Sequence, residues 1–223
     1  MREYSVNIIA VDKKSYDNGF SNVSLSFEYG KIYFLFGQSG SGKSCLLNMI
    51  LGEEKPDKGE IYVFGKNVHA ISKRKLALLR QDVSYIWQDI KLIEHKTVFE
   101  NIAIPLIIKN VPQFVIKEKV DEVLNDTELF LYKDKYPSEL PQGVCQKIGV
   151  MRALIKKPML LIADEPMTFG DAQTELEIWE LINKYITQKT TVIFSTSQKY
   201  LIEKFNGTLI NLDNSVLSEV VTQ

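Results

Sequence analysis

The run GQSGSGKS at residues 37–44 puts glycines, a lysine and a hydroxyl at the spacing GxxxxGK[ST]. Gly37, Gly40 and Gly42 allow the backbone to fold back so that its N–H groups face an anion, and a helix opening at Lys43 adds the positive end of its dipole. At this spacing Lys43 reaches β- and γ-phosphates and Ser44 offers its hydroxyl to Mg²⁺. The rest of the loop, Ser39 and Ser41 included, lines the same nucleotide, so ATP and Mg²⁺ are the expected ligands. The flanks fit: the β-like run IYFLF precedes the loop and the apolar run CLLNMIL follows it. A plain glycine-rich turn would not need that lysine and hydroxyl. A second constellation, MLLIADE at 159–165, is an apolar strand ending in two carboxylates. Asp164 suits the surroundings of the magnesium, and Glu165 suits the group that polarises an attacking water. Acidic residues often just cap a strand end, but the phosphate loop in the same chain favours the chemical role.

The elements that must position these residues can be read from periodicity. Strand-like runs cover 6–11, 23–27, 32–36, 61–64, 83–87, 159–163, 191–195 and 208–212, with a turn at Tyr29-Gly30. Helix-like stretches cover 43–51, 73–81, 144–155 and 173–186; in the last, Ile178, Trp179, Leu181, Ile182, Tyr185 and Ile186 form one apolar face. Strands alternating with helices predict an α/β fold with a mainly parallel sheet. From Thr97 to about Leu154 the pattern is nearly all helical, broken at Pro112 and Pro137. We therefore expect a single domain over 1–223 with a helical subdomain inserted at about 97–154.

Composition narrows the partners. Among 223 residues, 27 Lys and Arg face 28 Asp and Glu, for a net charge of -1, without the basic excess typical of nucleic-acid binding. No run approaches the roughly 20 apolar residues that span a bilayer. The longest candidate, IAIPLII at 102–108, is short and contains Pro105. The N-terminal segment has no cleavage-site pattern. A cytosolic chain without membrane insertion is expected. Cys45 and Cys145 have no metal-ligand spacing and read as reduced, packed thiols.

Further residues complete a pattern that resembles the nucleotide-binding ATPase subunits of ABC transporters. Tyr16 in VDKKSY matches the aromatic that stacks on adenine, and Gln88 in YIWQD matches the glutamine that contacts magnesium and relays to a membrane partner. YPSEL and the helix ending in MRAL (136–154) match the region around the LSGGQ signature; DEP at 164–166 and Asp171 match the acidic strand end and the loop after it. The resemblance covers nearly the whole chain. It implies a P-loop NTPase (RecA-like) core with an antiparallel β part near the N-terminus. It assigns catalysis to Glu165, Gln88 and Ser197, and metal binding to Ser44, Gln88 and Asp164. Nucleotide contacts also fall to Tyr16, Cys45, Gly143 and Asp171, the last two across a homodimer seam.

Three positions depart from the family. The signature reads LPQGV at 140–144, so Pro141 lacks both the hydroxyl and the N–H that cap a γ-phosphate, while Gly143 is kept. Ser197 stands in place of the switch histidine, and Cys45 in place of a threonine. Losing one preorganised transition-state contact typically costs about 10²–10³ in rate. Tight ATP binding with weak intrinsic hydrolysis is one expectation; compensation by neighbouring groups is the other. The segment KLIEHKTVFENIAIPLII (91–108) is most similar to the cell-division (FtsE) branch. That implies an FtsX-type membrane subunit holding the chain at the inner face of the membrane, with a lipoprotein-release or export permease as the alternative. A pairing with a different, intact cassette, a soluble non-transport ABC protein and a P-loop kinase are the remaining readings; the last leaves Tyr16, Gln88 and Asp171 without a role.

Overall fold

The computed structural model describes residues 4–14, 19–89, 91–166, 172–198, 200, 207–213 and 216–221; Tyr16 and Asp171 lie outside them. The chain divides into two compact units, one of residues 1–83, 159–165 and 188–223, the other of 84–158 and 166–187.

In the first unit, β1 (Tyr4–Lys13), β2 (Phe20–Glu28), β4 (Lys58–Val63) and β5 (Lys66–Asn67) form a sheet in the order β2-β1-β4-β5, with antiparallel pairing throughout. Their burial partly alternates, as expected of strands with one wet face: in β2, Phe20, Val23 and Phe27 are buried and the residues between them are not. The second sheet runs β10-β9-β3-β8-β7, built from β3 (Ile32–Phe36), β7 (Leu160–Asp164), β8 (Thr191–Thr196), β9 (Thr208–Asp213) and β10 (Val216–Val221). Next in order comes β6 (Val83–Ile86), whose first residue closes this unit's first segment. β3 pairs in parallel with β8 and β9, and β8 with β7, while β9 and β10 pair antiparallel. LLIAD in β7 and TVIFST in β8 are buried at every position, the signature of parallel strands covered on both faces. Phe34 and Phe194 meet at the β3–β8 register with ring centroids 5.6 Å apart. Helices α1 (Lys43–Ile50) and α2 (Lys73–Arg80) belong to the same unit. Gly30, at φ +73°, makes the turn into β3, where a side chain would meet the Gln188 carbonyl at 2.2 Å. This is the α/β architecture expected, with its mainly parallel sheet and antiparallel N-terminal part.

The second unit holds α3 (Val98–Ile108), α4 (Gln113–Asp126), α5 (Gln142–Leu154) and α6 (Ala172–Tyr185), with 3-10 turns at Phe130–Tyr132 and Pro137–Glu139. α3 opens with a capping box: Thr97 Oγ1 accepts from the Glu100 N–H at 3.3 Å, and Glu100 Oε2 accepts from the Thr97 N–H at 2.9 Å. Pro112 caps α4 and Pro137 opens a 3-10 turn, so both break the chain as predicted; Pro105 lies inside α3 without ending it. No described helix is long and apolar enough to cross a membrane.

Several boundaries differ from the sequence pattern. Phe64 leaves the strand because it turns at φ 49° into Gly65, and Trp87 lies past the end of β6. β5 is two residues long, too short to show a period, and β10 was not anticipated either.

Truncating Phe194 to Ala leaves a void in the β3–β8 core. It should lower the free energy of unfolding by about 3–5 kcal/mol, measured as a shift of the urea midpoint at constant m-value.

Candidate phosphate-binding site

The loop at 37–44 leaves β3 and enters α1 within the first unit. Its entry is tied to β8 by the Gly37 N–H, which donates to the Thr196 carbonyl at 3.3 Å, and its bend is closed by Ser41 N–H donating to Gln38 O at 3.1 Å. Gly40 and Gly42 sit at φ 82° and 92°, where a side chain is strained, so the curl of the loop requires glycine. A Cβ on Gly37 would meet Ser41 Oγ at 2.5 Å and Leu212 O at 2.9 Å. Gly42 is the N-cap of α1, and the helix's first turn carries no acidic side chain. Its outward N–H groups and dipole are thus presented to an external anion. Gln38, Ser39, Gly40 and Ser44 are exposed; the Ser41 hydroxyl is buried without a hydrogen-bond partner among the described residues, a polar atom suited to a ligand contact.

Lys43 is only 4% exposed. Its ammonium donates to Gly37 O at 2.8 Å and Gln38 O at 3.0 Å and pairs with Glu165 Oε1 at 3.2 Å. Among the described residues, two loop carbonyls and one carboxylate oxygen thus hold the cation, and phosphate oxygens can replace them. Glu165 follows β7 at φ 41°, the left-handed region, a cost of order 1–3 kcal/mol that places its carboxylate toward Lys43.

The residue fastening the Asp164 carboxylate and the Glu165 backbone is Ser195, which sequence pattern alone did not single out. It pairs with Asp164 across the parallel β7–β8 ladder and is fully buried. Its hydroxyl donates to Asp164 Oδ1 at 2.6 Å and accepts from the Glu165 N–H at 2.9 Å. Within an apolar strand a serine looks like any small strand residue; only the register shows its role.

The hydroxyl of Ser44 and the carboxylate of Asp164, with phosphate oxygens from a nucleotide, are hard oxygen donors that fit Mg²⁺, which usually binds through one or two carboxylates plus phosphates. Cys45, the next residue of α1, is half-buried. Burial first, and the neighbouring Glu54 second, push its thiol up to about 11, so it stays a neutral thiol at physiological pH. Glu54 is itself paired with Lys13 at 3.0 Å. Ser197 lies just past β8 and is exposed.

In the second unit, Gln88 is exposed after β6. Pro141 caps α5 at φ −60° and ψ 149°, and its carbonyl accepts the Cys145 N–H at 3.1 Å. A methyl on Gly143 would meet nothing within 4 Å, so packing among the described residues does not demand a glycine there. The structure thus gathers Lys43, Asp164 and Glu165 within one unit and carries Gln88 and Gly143 on the other.

The family model described as "ABC transporter" matches residues 20–168. The cell division ATP-binding protein FtsE of Bacillus subtilis is 30% identical over 207 residues, covering 92% of this chain and 91% of that one. FtsE of Streptococcus pneumoniae (strain D39) is 35% identical over 204 residues, covering 90% and 89%. The methionine import ATP-binding protein MetN of Legionella pneumophila (strain Paris) is 38% identical over 174 residues; the match spans 77% of this chain but only 51% of that protein. Among solved structures, the ATP-binding cassette MJ0796, in a dimeric post-hydrolysis state bound to ADP and Pi, superposes with a TM-score of 0.83 at 26% identity, covering 98% and 100% of the two chains.

Replacing Glu165 by Gln should leave ATP affinity within a few-fold while slowing phosphate release by about 10²-fold or more, checked by filter binding beside a phosphate assay. Ser195→Ala strips the part-buried Glu165 N–H and the buried Asp164 carboxylate of their shared partner. It should cost about 1–3 kcal/mol of stability and slow turnover without abolishing ATP binding.

Proposed function

The chain belongs to the ABC transporter ATP-binding family and is a P-loop ATPase, and from that premise we propose that it is a slowly hydrolysing nucleotide switch acting on a membrane subunit. The observation that carries this reading is the buried Lys43, held by loop carbonyls and by Glu165. An ATP triphosphate on the N-terminus of α1 exchanges those oxygens for its own, and Glu165, released from Lys43, is left to orient the attacking water. Ser44, Asp164 and Gln88 would hold Mg²⁺, which neutralises charge on the phosphate oxygens. Tyr16 would stack on the adenine, and Cys45 would replace a hydroxyl near the α-phosphate with a neutral thiol.

Two copies of the chain would close on ATP, each presenting Gly143 and Asp171 to the other's nucleotide. Pro141 supplies neither hydroxyl nor N–H for this cap, and Ser197 has shorter reach than a histidine and cannot carry its charge. ATP is thus held longer than it is hydrolysed, which suits signalling. The segment at 91–108 supports a cell-division (FtsE-like) role with an FtsX-type partner at the inner face of the membrane, in keeping with the FtsE relatives matched along most of their length. The MetN similarity favours a second reading, the ATPase subunit of a solute transporter.

Affinity capture from detergent-solubilised membranes with ATP and Mg²⁺ should bring down a membrane protein of the FtsX type together with division proteins. A solute permease in its place would replace the cell-division reading with the transport one. Restoring the family residues by Pro141→Ser and Ser197→His should raise turnover, by up to about 10²-fold for each contact regained. An unchanged rate would show that these positions do not limit hydrolysis.

A further inference from the structure

The segment carrying Gln88 is fastened at both ends to consecutive residues of α5. At its start, the buried Ser84 hydroxyl donates to the Ala153 carbonyl at 2.5 Å. At its end, Arg152 Nη2 donates to the Lys91 carbonyl at 2.8 Å. The other arm of the guanidinium, Nη1, donates to Asn101 Oδ1 at 3.3 Å. Asn101 is fully buried: its amide donates to the carbonyls of Ile93, Lys96 and Thr97 at 3.0–3.1 Å, and its oxygen accepts the Ile93 N–H at 2.9 Å. One asparagine thus shapes the turn at 93–97, and one arginine joins that turn, the end of the Gln88 segment and α5. Within the segment, the Lys91 ammonium lies 4.9 Å from the centre of the Trp87 ring, which packs on Tyr85 at 4.0 Å. Planar, two-armed donation is what an arginine provides and a lysine cannot reproduce.

We propose that Arg152, anchored by Asn101, is a positioning residue that makes the Gln88 segment and α5 a single mechanical piece. α5 carries Gly143 at its N-terminal end and Arg152 in its last turn. A displacement of the Gln88 segment is therefore passed along the helix axis to the nucleotide-capping end, and the reverse. Hydrogen bonds at both ends of the segment oppose its sliding independently of α5. This inference rests on the reading of the chain as an ATP-driven switch and names the parts through which that switch is coupled.

Hydrogen exchange on the full-length chain, with and without ATP and Mg²⁺, tests it. In the wild type, ATP should slow exchange at 37–46 and change it by about fivefold or more at both 84–97 and 142–146. In Arg152→Lys, the response at 37–46 should persist and the response at 142–146 should be lost. Uniform destabilisation would raise exchange in both nucleotide states and leave the ATP-dependent difference in place. Ser84→Ala, which removes the other fastening with little loss of volume, should weaken the same difference and serves if the lysine variant does not fold. A full wild-type response at 142–146 in both variants overturns the proposal, as does a wild-type response confined to 37–46. An absent response at 37–46 in the wild type overturns the ATP reading itself.

Discussion

A buried ammonium needs oxygens around it, and Lys43 finds them in two loop carbonyls and the carboxylate of Glu165. Much of the first unit is arranged to make that contact. Gly40 and Gly42 take backbone angles that bring the Gly37 and Gln38 carbonyls within reach of the lysine. Glu165 takes a strained one to bring its carboxylate there. The parallel ladder between β7 and β8 sets Ser195 opposite Asp164, so one hydroxyl serves both a carboxylate oxygen and the next residue's N–H. The same register carries Thr196 to the point where its carbonyl receives the Gly37 N–H. The oxygens satisfying Lys43 can each be exchanged for phosphate oxygens, so the arrangement that stabilises the folded chain also prepares it for a triphosphate.

The second unit uses other means. Its positioning comes from side chains that satisfy backbone carbonyls in irregular turns, above all Asn101 and Arg152, at positions where no ladder can do so. Such bonds fix a loop without a sheet or helix, and they tie its position to the helix that supplies the donor. The departures, Pro141 in this unit and Ser197 in the first, leave both scaffolds alone: Pro141 takes ordinary cap angles for α5, and Ser197 is exposed beyond β8. The chain thus keeps the framework of its family while altering groups expected to act on the transferred phosphoryl.

What could be read from the sequence follows from which interactions leave a period or a motif. The phosphate loop did so because its glycines, lysine and hydroxyl sit at fixed spacing, and β7 did so because its apolar run ends in Asp164 and Glu165. The alternation of strands and helices was enough for the α/β architecture. Ser195 was not legible, because a hydroxyl in a buried strand gains meaning only from the strand beside it. Asn101 and Arg152 were not legible either, since a side chain bonded to distant carbonyls leaves no local pattern. β5 is shorter than any period, and the strand ending at Val63 gave no sign that Phe64 would turn away.

A single-turnover chase distinguishes a slowly hydrolysing nucleotide switch from a fast ATPase. Excess protein is mixed with labelled ATP and Mg²⁺, unlabelled ATP is added, and bound nucleotide is separated and identified over time. Label should remain bound mainly as ATP long after binding is complete and convert slowly to ADP and phosphate. Lys43→Ala should retain no label. Conversion as fast as binding would contradict the switch, and label retained by Lys43→Ala would contradict the site.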